Sequence, residues 1–279
     1  MHHRILRQIL PPFLFDALGK TAISMGIIKQ YIYQPAWHKI KNGMLRGREI
    51  YVDPHDGYWQ KEMVSGFFDE FFIHYLNGLN IKGGAVYEIG AHIGYHAMNF
   101  AELIGTTGEV FAFEPNPFNA ERMEIILSRN IDLKERIKII PYALSEKNGE
   151  TIFNFSTQID NGTSSGSYLN GAHTPFRERD YEKIGFKKMH VKTFSLDKLI
   201  TESKLREPSL LKIDVEGAEH LVLNGALNTI RKTKPIVLME VHSIYNMFHA
   251  FNFFISNNYS VTLLNTSSDG RCFISASPN

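Results

Sequence analysis

Cysteine is nearly absent from this 279-residue chain, Cys272 being the only one. A single thiol forms no intrachain disulfide and no cysteine zinc cluster, so the sequence reads as a protein of a reducing, cytoplasmic compartment. An excess of either charge is missing too, with 30 Lys and Arg against 29 Asp and Glu. That balance supplies no broad basic field, and no nucleic-acid partner is expected. Internal repeats and low-complexity tracts are lacking. Hydrophobic residues make up 43% of the chain and charged ones 21%, which excludes a disordered or fibrous protein. Residues 5–28 are rich in apolar side chains, but Arg7, Asp16 and Lys20 interrupt them and Pro11-Pro12 breaks any helix. A spanning helix needs about 20 mostly apolar residues in a row. The segment therefore reads as a pair of short helices that pack on the main domain or on a second copy in a homodimer. Peripheral membrane contact is the alternative.

What is present is a regular alternation. Residues 1–65 are read as an N-terminal helical accessory segment and residues 66–279 as the main domain. From residue 85 onward, short apolar runs alternate with stretches of helical periodicity, which predicts parallel strands joined by crossover helices. Strands are predicted at 85–90, 109–114, 137–140, 209–214 and 235–241, with helices at 95–104, 117–129, 218–227 and 246–255. Pro117 suits the first position of its helix, and Ser195 the N-cap of a short one. Two final runs, 259–264 and 272–276, flank Asn-Thr-Ser-Ser-Asp-Gly, which is hairpin chemistry. The expected fold is α/β and Rossmann-like: a seven-stranded, mostly parallel sheet with an antiparallel C-terminal hairpin at its edge. Residues 154–188, rich in Ser, Gly, Asn and charge, are expected to be a structureless lid or binding loop.

The first strand runs into Glu88-Ile89-Gly90-Ala91-His92-Ile93-Gly94-Tyr95, a strand, a glycine turn and a helix start. Gly90 and Gly94 permit tight turning and close approach of a ligand, and the N–H groups at the helix start can meet a carboxylate. Glu114 ends the second strand and is followed by Pro115-Asn116-Pro117. An acidic side chain there accepts hydrogen bonds from both ribose hydroxyls of an adenosine. A dinucleotide fingerprint needs a middle glycine where this chain has His92. A side chain of that size argues against NAD and FAD, and is compatible with S-adenosylmethionine, which has no pyrophosphate. A turn shaped only for packing is the plain alternative.

Five stretches carry a family resemblance: Tyr87 to Tyr95, Val110 to Pro117, Tyr142-Ala143-Leu144-Ser145, Thr193-Phe194-Ser195-Leu196-Asp197 and, above all, Lys212 to Glu219. Together, over roughly residues 66–241, they resemble the FkbM family of S-adenosylmethionine-dependent methyltransferases. The resemblance implies a class I methyltransferase fold and O-methylation, often of a sugar or a secondary-metabolite hydroxyl. It also implies cofactor contacts from Glu88, Gly90, Ala91, His92, Gly94, Glu114, Pro115, Asn116 and Ala143. The chain departs from the family pattern twice, with Glu88 in place of an Asp and His92 in place of an Asn. Both departures keep polar groups near the methionine end of the cofactor.

Methyl transfer to an alcohol needs alignment and a place for the alcohol's proton. Asp214 ends the fourth strand, Glu216 and Glu219 open the next helix, and Glu240 and His242 flank Val241 at the end of the fifth strand. Alternation along a strand puts Glu240 and His242 on one face. His242 is expected to accept the proton, with Asp214 or Glu240 orienting it. A hydrogen-bonded structural histidine, and helix N-terminal electrostatics for the two glutamates, are the plain alternatives. A divalent ion held by Asp214, Glu240 and His242 is a second reading and is not favoured, so no metal ligand is assigned. His92 is expected to meet the cofactor carboxylate, and His96 to face the domain's own packing.

On the acceptor side, Ser164, Ser165, Ser167, Tyr168 and Asn170 offer hydroxyl and amide groups to a polyol, and Tyr168 and Phe176 can stack on a sugar face. Asp53, His55, Asp56, Tyr58 and Trp59 form a second polar and aromatic cluster. Phe67, Phe68, Phe71, Phe72 and Tyr75 recur at helical spacing and read as core. The expected activity is O-methylation of a hydroxyl on a sugar, glycan or glycosylated metabolite. The rivals are N- or C-methylation of another small molecule or lipid headgroup, and a catalytically silent adenosine-binding scaffold.

Overall fold

Short apolar runs flanked by helical stretches need cover on both faces, and a central sheet between two helical layers provides it. The computed structural model describes residues 34–55, 58–156, 166–173, 186–267 and 270–279, and the helices and strands it shows belong to the unit Pro35–Asn279. The segment 5–28, with its helix-pair, homodimer and membrane-contact readings, lies outside the described residues. Among the described residues no helix is long and apolar enough to cross a membrane.

The first elements are β1 (Ala36–Lys39), β2 (Glu49–Val52), α1 (Tyr58–Ser65) and α2 (Glu70–Asn77). Then come β3 (Ala85–Ile89), α3 (Tyr95–Ile104), β4 (Glu109–Phe113), α4 (Pro117–Leu127), α5 (Ile131–Lys134) and β5 (Ile137–Ile140). A second group of strands comes next: β6 (Ala143–Leu144), β7 (Gly149–Ser156), β8 (Tyr168–Leu169) and β9 (Phe186–Phe194). The chain continues through α6 (Leu196–Ser203), β10 (Leu210–Ile213), α7 (Glu219–Gly225), α8 (Leu227–Thr233) and β11 (Ile236–Val241). It closes with α9 (Ile244–Ser256), β12 (Tyr259–Thr266) and β13 (Cys272–Pro278).

Seven strands form the main sheet in the order β12-β13-β11-β10-β3-β4-β5. The pairs β4–β5, β3–β4, β3–β10 and β10–β11 are parallel, whereas β13 runs antiparallel to both β11 and β12. The antiparallel C-terminal hairpin expected from the sequence therefore stands at the edge of the sheet, with β13 against β11 and β12 outermost. Burial explains the order: Cys272, Ile274, Ala276 and Ser275 of β13 are buried, while β12 leaves most of its positions open. The apolar member of the hairpin is drawn inward.

Alternation along the strands divides the core. Val86, Val110, Ala112, Leu210 and Leu238 join α3 and α4 on one face. Tyr87, Ile89, Phe111, Phe113, Leu211 and Ile213 join α7 and α9 on the other. Strand order reverses at β3, which sits between β4 and β10. The crevice at the carboxyl ends of strands flanking such a reversal is where open α/β sheets bind ligands.

The structure corrects two expectations. Residues 36–65 are not a helical appendage. They begin with the antiparallel pair β1–β2, and Ile40, Leu45, Ile50, Val52 and Met63 are buried in the same cluster as α3 and α4. Arg48 bolts this hairpin down, its guanidinium reaching Glu102 at 2.8 Å and Asp132 at 2.6 and 2.7 Å. Nor is 154–188 structureless at its ends. Strands β7 and β9 pair antiparallel from Gly149↔Thr193 to Ser156↔Phe186, within a four-stranded sheet of order β6-β9-β7-β8. The alternation is hard to see in the sequence because the outer positions of β9 carry Lys187, Lys188, His190 and Lys192, and only Val191 and Thr193 are buried.

Candidate active site

The turn after β3 is built by backbone shape. Gly90, His92 and Gly94 all have positive φ, at 88°, 50° and 84°. A Cβ at Gly90 would overlap the backbone carbonyl oxygen of Asp214, and one at Gly94 would lie 2.6 Å from Met123 Cγ. Glycine is required because the loops after β3 and β10 touch there. Glu114 then ties the turn to the end of β4: its two carboxylate oxygens accept the N–H of His92 at 2.7 Å and of Asn116 at 2.8 Å. Burial raises the Glu114 carboxyl to about 7, against those hydrogen bonds. Asn116 caps α4 by accepting the Phe118 N–H at 3.1 Å, with Pro117 at the first helical position.

Above this turn opens a cavity of about 480 Å³, within the range of small-molecule sites. Of the expected cofactor residues, Glu88, Gly90, Ala91, His92, Glu114, Pro115 and Ala143 line it. Gly94 and Asn116 do not line it; they set the turn and the helix cap beside it. Three buried polar atoms among the lining residues have no hydrogen-bond partner, Glu88 Oε2, His92 Nε2 and His96 Nδ1. Burial holds His92 down at about 4, so its imidazole is neutral. Burial likewise raises Glu88 to about 8, opposed by Lys212. Lys212 pairs across the strands with Glu88, its Nζ lying 4.0 Å from Glu88 Oε1 and 2.9 Å from Asp214 Oδ2. Orphaned polar atoms, a glycine cradle and an acid at the end of β4 fit the polar groups of S-adenosylmethionine.

His96 takes part in the packing, as expected, and also lines the cavity: it is buried, lies among the rings of Phe68, Phe72 and Tyr95, and meets Asp69 Oδ2 at 3.0 Å.

The carboxyl ends of β10 and β11 bring Asp214, Glu240 and His242 together, as expected, and Glu216 and Glu219 join them. His242 Nδ1 meets Glu219 Oε1 at 2.7 Å. Its Nε2 lies 3.3 Å from Glu216 Oε2, 3.5 Å from Glu240 Oε1 and 3.8 Å from Asp214 Oδ1. Burial opposes a charge on this imidazole, but Glu216 and Glu219, with Asp214, outweigh it and raise His242 to about 10. Glu219, rather than Asp214 or Glu240, makes the hydrogen bond that orients the ring. His242 does not line the cavity; Asp214, Glu216 and Glu240 do. Burial raises Glu216 and Glu240. For Asp214 burial pushes the same way, but Lys212 and His242 prevail and keep it ionised. Glu240 Oε1 also receives Arg271 Nη1 at 2.7 Å.

Sequence reasoning left several wall residues without a role. Lys212 had a visible signal, a charge in the buried strand Leu210–Ile213 opposite the buried Glu88. Phe68 and Phe71, read as core, do pack against it and line the cavity as well, while Phe72 is buried and Phe67 is exposed. Trp59 is the one member of the 53–59 cluster that lines it among the described residues. Asp53 accepts the His55 N–H at 2.9 Å and shapes a turn. Asp56 lies outside the described residues, as do Ser164, Ser165 and Phe176. Ser167 reaches the cavity. Tyr168 does not stack there: it is buried with its ring 5.6 Å from that of Phe186, and Asn170 is exposed.

The pattern described as the Methyltransferase FkbM domain matches residues 88–261. A protein named Hexuronic acid methyltransferase AglP, from Haloferax volcanii, is 32% identical over 160 residues, 57% of this chain and 56% of that protein. The 2-O-methyltransferase NoeI of Sinorhizobium fredii is 29% identical over 154 residues, 54% of this chain and 60% of that one. The chain thus spans little more than half the length of these relatives. Among solved structures, Methyltransferase FkbM from Methylobacillus flagellatus KT aligns with a TM-score of 0.50 at 17% identity, over 71% of this chain and 45% of the other. At that identity the likeness is one of fold, the mixed-sheet α/β architecture of class I methyltransferases.

Proposed function

Because the chain belongs to the FkbM methyltransferase family, we propose that it is an S-adenosylmethionine-dependent O-methyltransferase acting on a hydroxyl of a sugar, glycan or glycosylated metabolite. The observation that carries this reading is one cavity lined both by Glu114 and the glycine turn and by the carboxylates of Asp214, Glu216 and Glu240. The names of the two relatives, one for a hexuronic acid and one for a 2-O position, support a sugar acceptor.

When bound, S-adenosylmethionine supplies a methyl group on a positively charged sulfur, open to attack by an oxygen nucleophile. Glu114 would hold the ribose, and Glu88 and His92, whose buried atoms Oε2 and Nε2 lack partners, would hold the amino-acid end. Phe68, Phe71 and Trp59 wall the cavity and keep water from the reacting groups. An acceptor hydroxyl must give up its proton as its oxygen is methylated. Glu216 takes it: this carboxylate lines the cavity, and burial raises its proton affinity, whereas Glu240 is held by Arg271.

The test is incubation of the purified full chain with methyl-labelled cofactor and a panel of monosaccharides, hexuronic acids and glycosides, beside amines and lipid headgroups. Label is expected in a sugar product that survives alkaline hydrolysis, as a methyl ether does. Label only in amines or lipids, or a sugar product cleaved by alkali as an ester, would overturn the hydroxyl reading.

A further inference from the structure

The side chains at the ends of β10 and β11 hold a feature that proton transfer leaves unused. His242 has no exposed side-chain surface, and its Nδ1 is committed to Glu219. Its other nitrogen, Nε2, is buried and makes no hydrogen bond, although three carboxylates surround it at 3.3–3.8 Å. An unsatisfied buried imidazole nitrogen in a ring of carboxylate oxygens calls for a partner that all of them can share. A carboxylate behind one ring nitrogen is also the usual support for an imidazole whose other nitrogen binds a metal, because it fixes the tautomer and orients the ring.

The distances agree. One ligand atom from each of Asp214, Glu240 and His242 lies within 4.8 Å of the others, and ligands about 2.0–2.3 Å from a common ion stand at most about 4.5 Å apart. Only small side-chain movements are needed. Asp214 and Glu240 line the cavity and His242 does not, so the ion's remaining positions would open toward the cavity. Arg271 steadies Glu240 from the side at 2.7 Å, and Lys212 steadies Asp214 at 2.9 Å.

We propose that Asp214, Glu240 and His242 form a binding site for one divalent cation, of the class that accepts carboxylate and imidazole ligands together. Mn²⁺ suits that mixed set, which is softer than an all-oxygen magnesium cage. On the methyl-transfer reading, which gives the ion its purpose, it would orient the acceptor hydroxyl beside Glu216. Ion binding itself does not depend on that reading.

The test uses the full chain stripped with chelator, titrated with Mn²⁺ alone and followed by the loss of the free-ion paramagnetic resonance signal. S-adenosylhomocysteine-induced thermal shift is measured on the same samples. One tightly held Mn²⁺ per chain is expected. Glu240→Gln and His242→Gln should abolish it, and Glu219→Gln should weaken it by roughly tenfold or more through loss of the outer carboxylate. All three variants should keep the S-adenosylhomocysteine shift, which shows that they are folded. Absence of Mn²⁺ binding to the unaltered chain, or equal binding by the folded Glu240→Gln and His242→Gln variants, would overturn the proposal. A chain that binds Mn²⁺ but shows no shift with S-adenosylhomocysteine would sink the methyltransferase reading and leave the ion site standing.

Discussion

Glu114→Gln tests the placement of the nucleotide most directly. In the structure each carboxylate oxygen of Glu114 already accepts one backbone N–H, from His92 at 2.7 Å and from Asn116 at 2.8 Å. The Asn119 side chain adds a third hydrogen bond, and the residue lines the cavity, so the remaining acceptor capacity of the carboxylate is open to the ribose hydroxyls. Glutamine replaces one acceptor oxygen by a donor. One of the two backbone N–H groups then faces an NH₂, and a buried donor left unpaired costs about 1–3 kcal/mol of stability. One ribose hydroxyl loses a charge-assisted hydrogen bond worth about 1.5–3 kcal/mol, or roughly 10- to 100-fold in affinity. Calorimetric titration with S-adenosylhomocysteine reads the second effect and thermal melting the first. Because burial raises the carboxyl to about 7, unaltered protein should bind more tightly as pH rises past that value, and the glutamine variant should lose Glu114's share of the slope. A variant that melts earlier yet binds within twofold of the unaltered protein would show that Glu114 only braces the turn and that the adenosine lies elsewhere.

Other outcomes rest on the same geometry. Gly90→Ala puts a side chain on a residue with φ 88° and into the Asp214 carbonyl. It should cost about 3 kcal/mol or more, read as a lower melting temperature together with weaker S-adenosylhomocysteine binding; an unchanged melt would mean that the two loops do not touch. Buried His92 is held at about 4 against an ordinary 6.5, so the unfolded chain gains its proton first as pH falls. Stability should therefore drop by about 3 kcal/mol between pH 6.5 and 4, and denaturant melts of His92→Asn should lack that part of the slope. Arg48→Met, which frees the first hairpin from Glu102 and Asp132, should lower stability by only about 1 kcal/mol because the pair is partly exposed, with cofactor affinity unchanged.

Where recognition depended on neighbours in the chain, the sequence sufficed. The run from Glu88 to Tyr95 contains both the strand and the glycines that its turn requires, and the predicted helix 95–104 and strand 137–140 coincide with α3 and β5. Pro117 and Ser195 mark their helix starts because capping is a local hydrogen bond. The same locality explains what the sequence did not give. The order of β12 and β13 depends on which strand buries more apolar surface against β11, a comparison between segments. Strand β9 shows its pattern only once paired with β7, since its outer face is basic.

The site divides in the same way. From residue types and spacing alone came the acid at the end of β4, the glycine turn and the company of Asp214, Glu240 and His242, because strand ends bring such residues to one edge of a parallel sheet. Only the tertiary structure decided their partners and proton affinities. Glu219 reaches His242 from the start of α7, and the carboxylates of Glu216, Glu219 and Asp214 outweigh burial and raise that imidazole's proton affinity. Charge states answer to every group within a few ångströms, whatever its distance along the chain, and that neighbourhood comes into being only when β10, α7 and β11 are packed together.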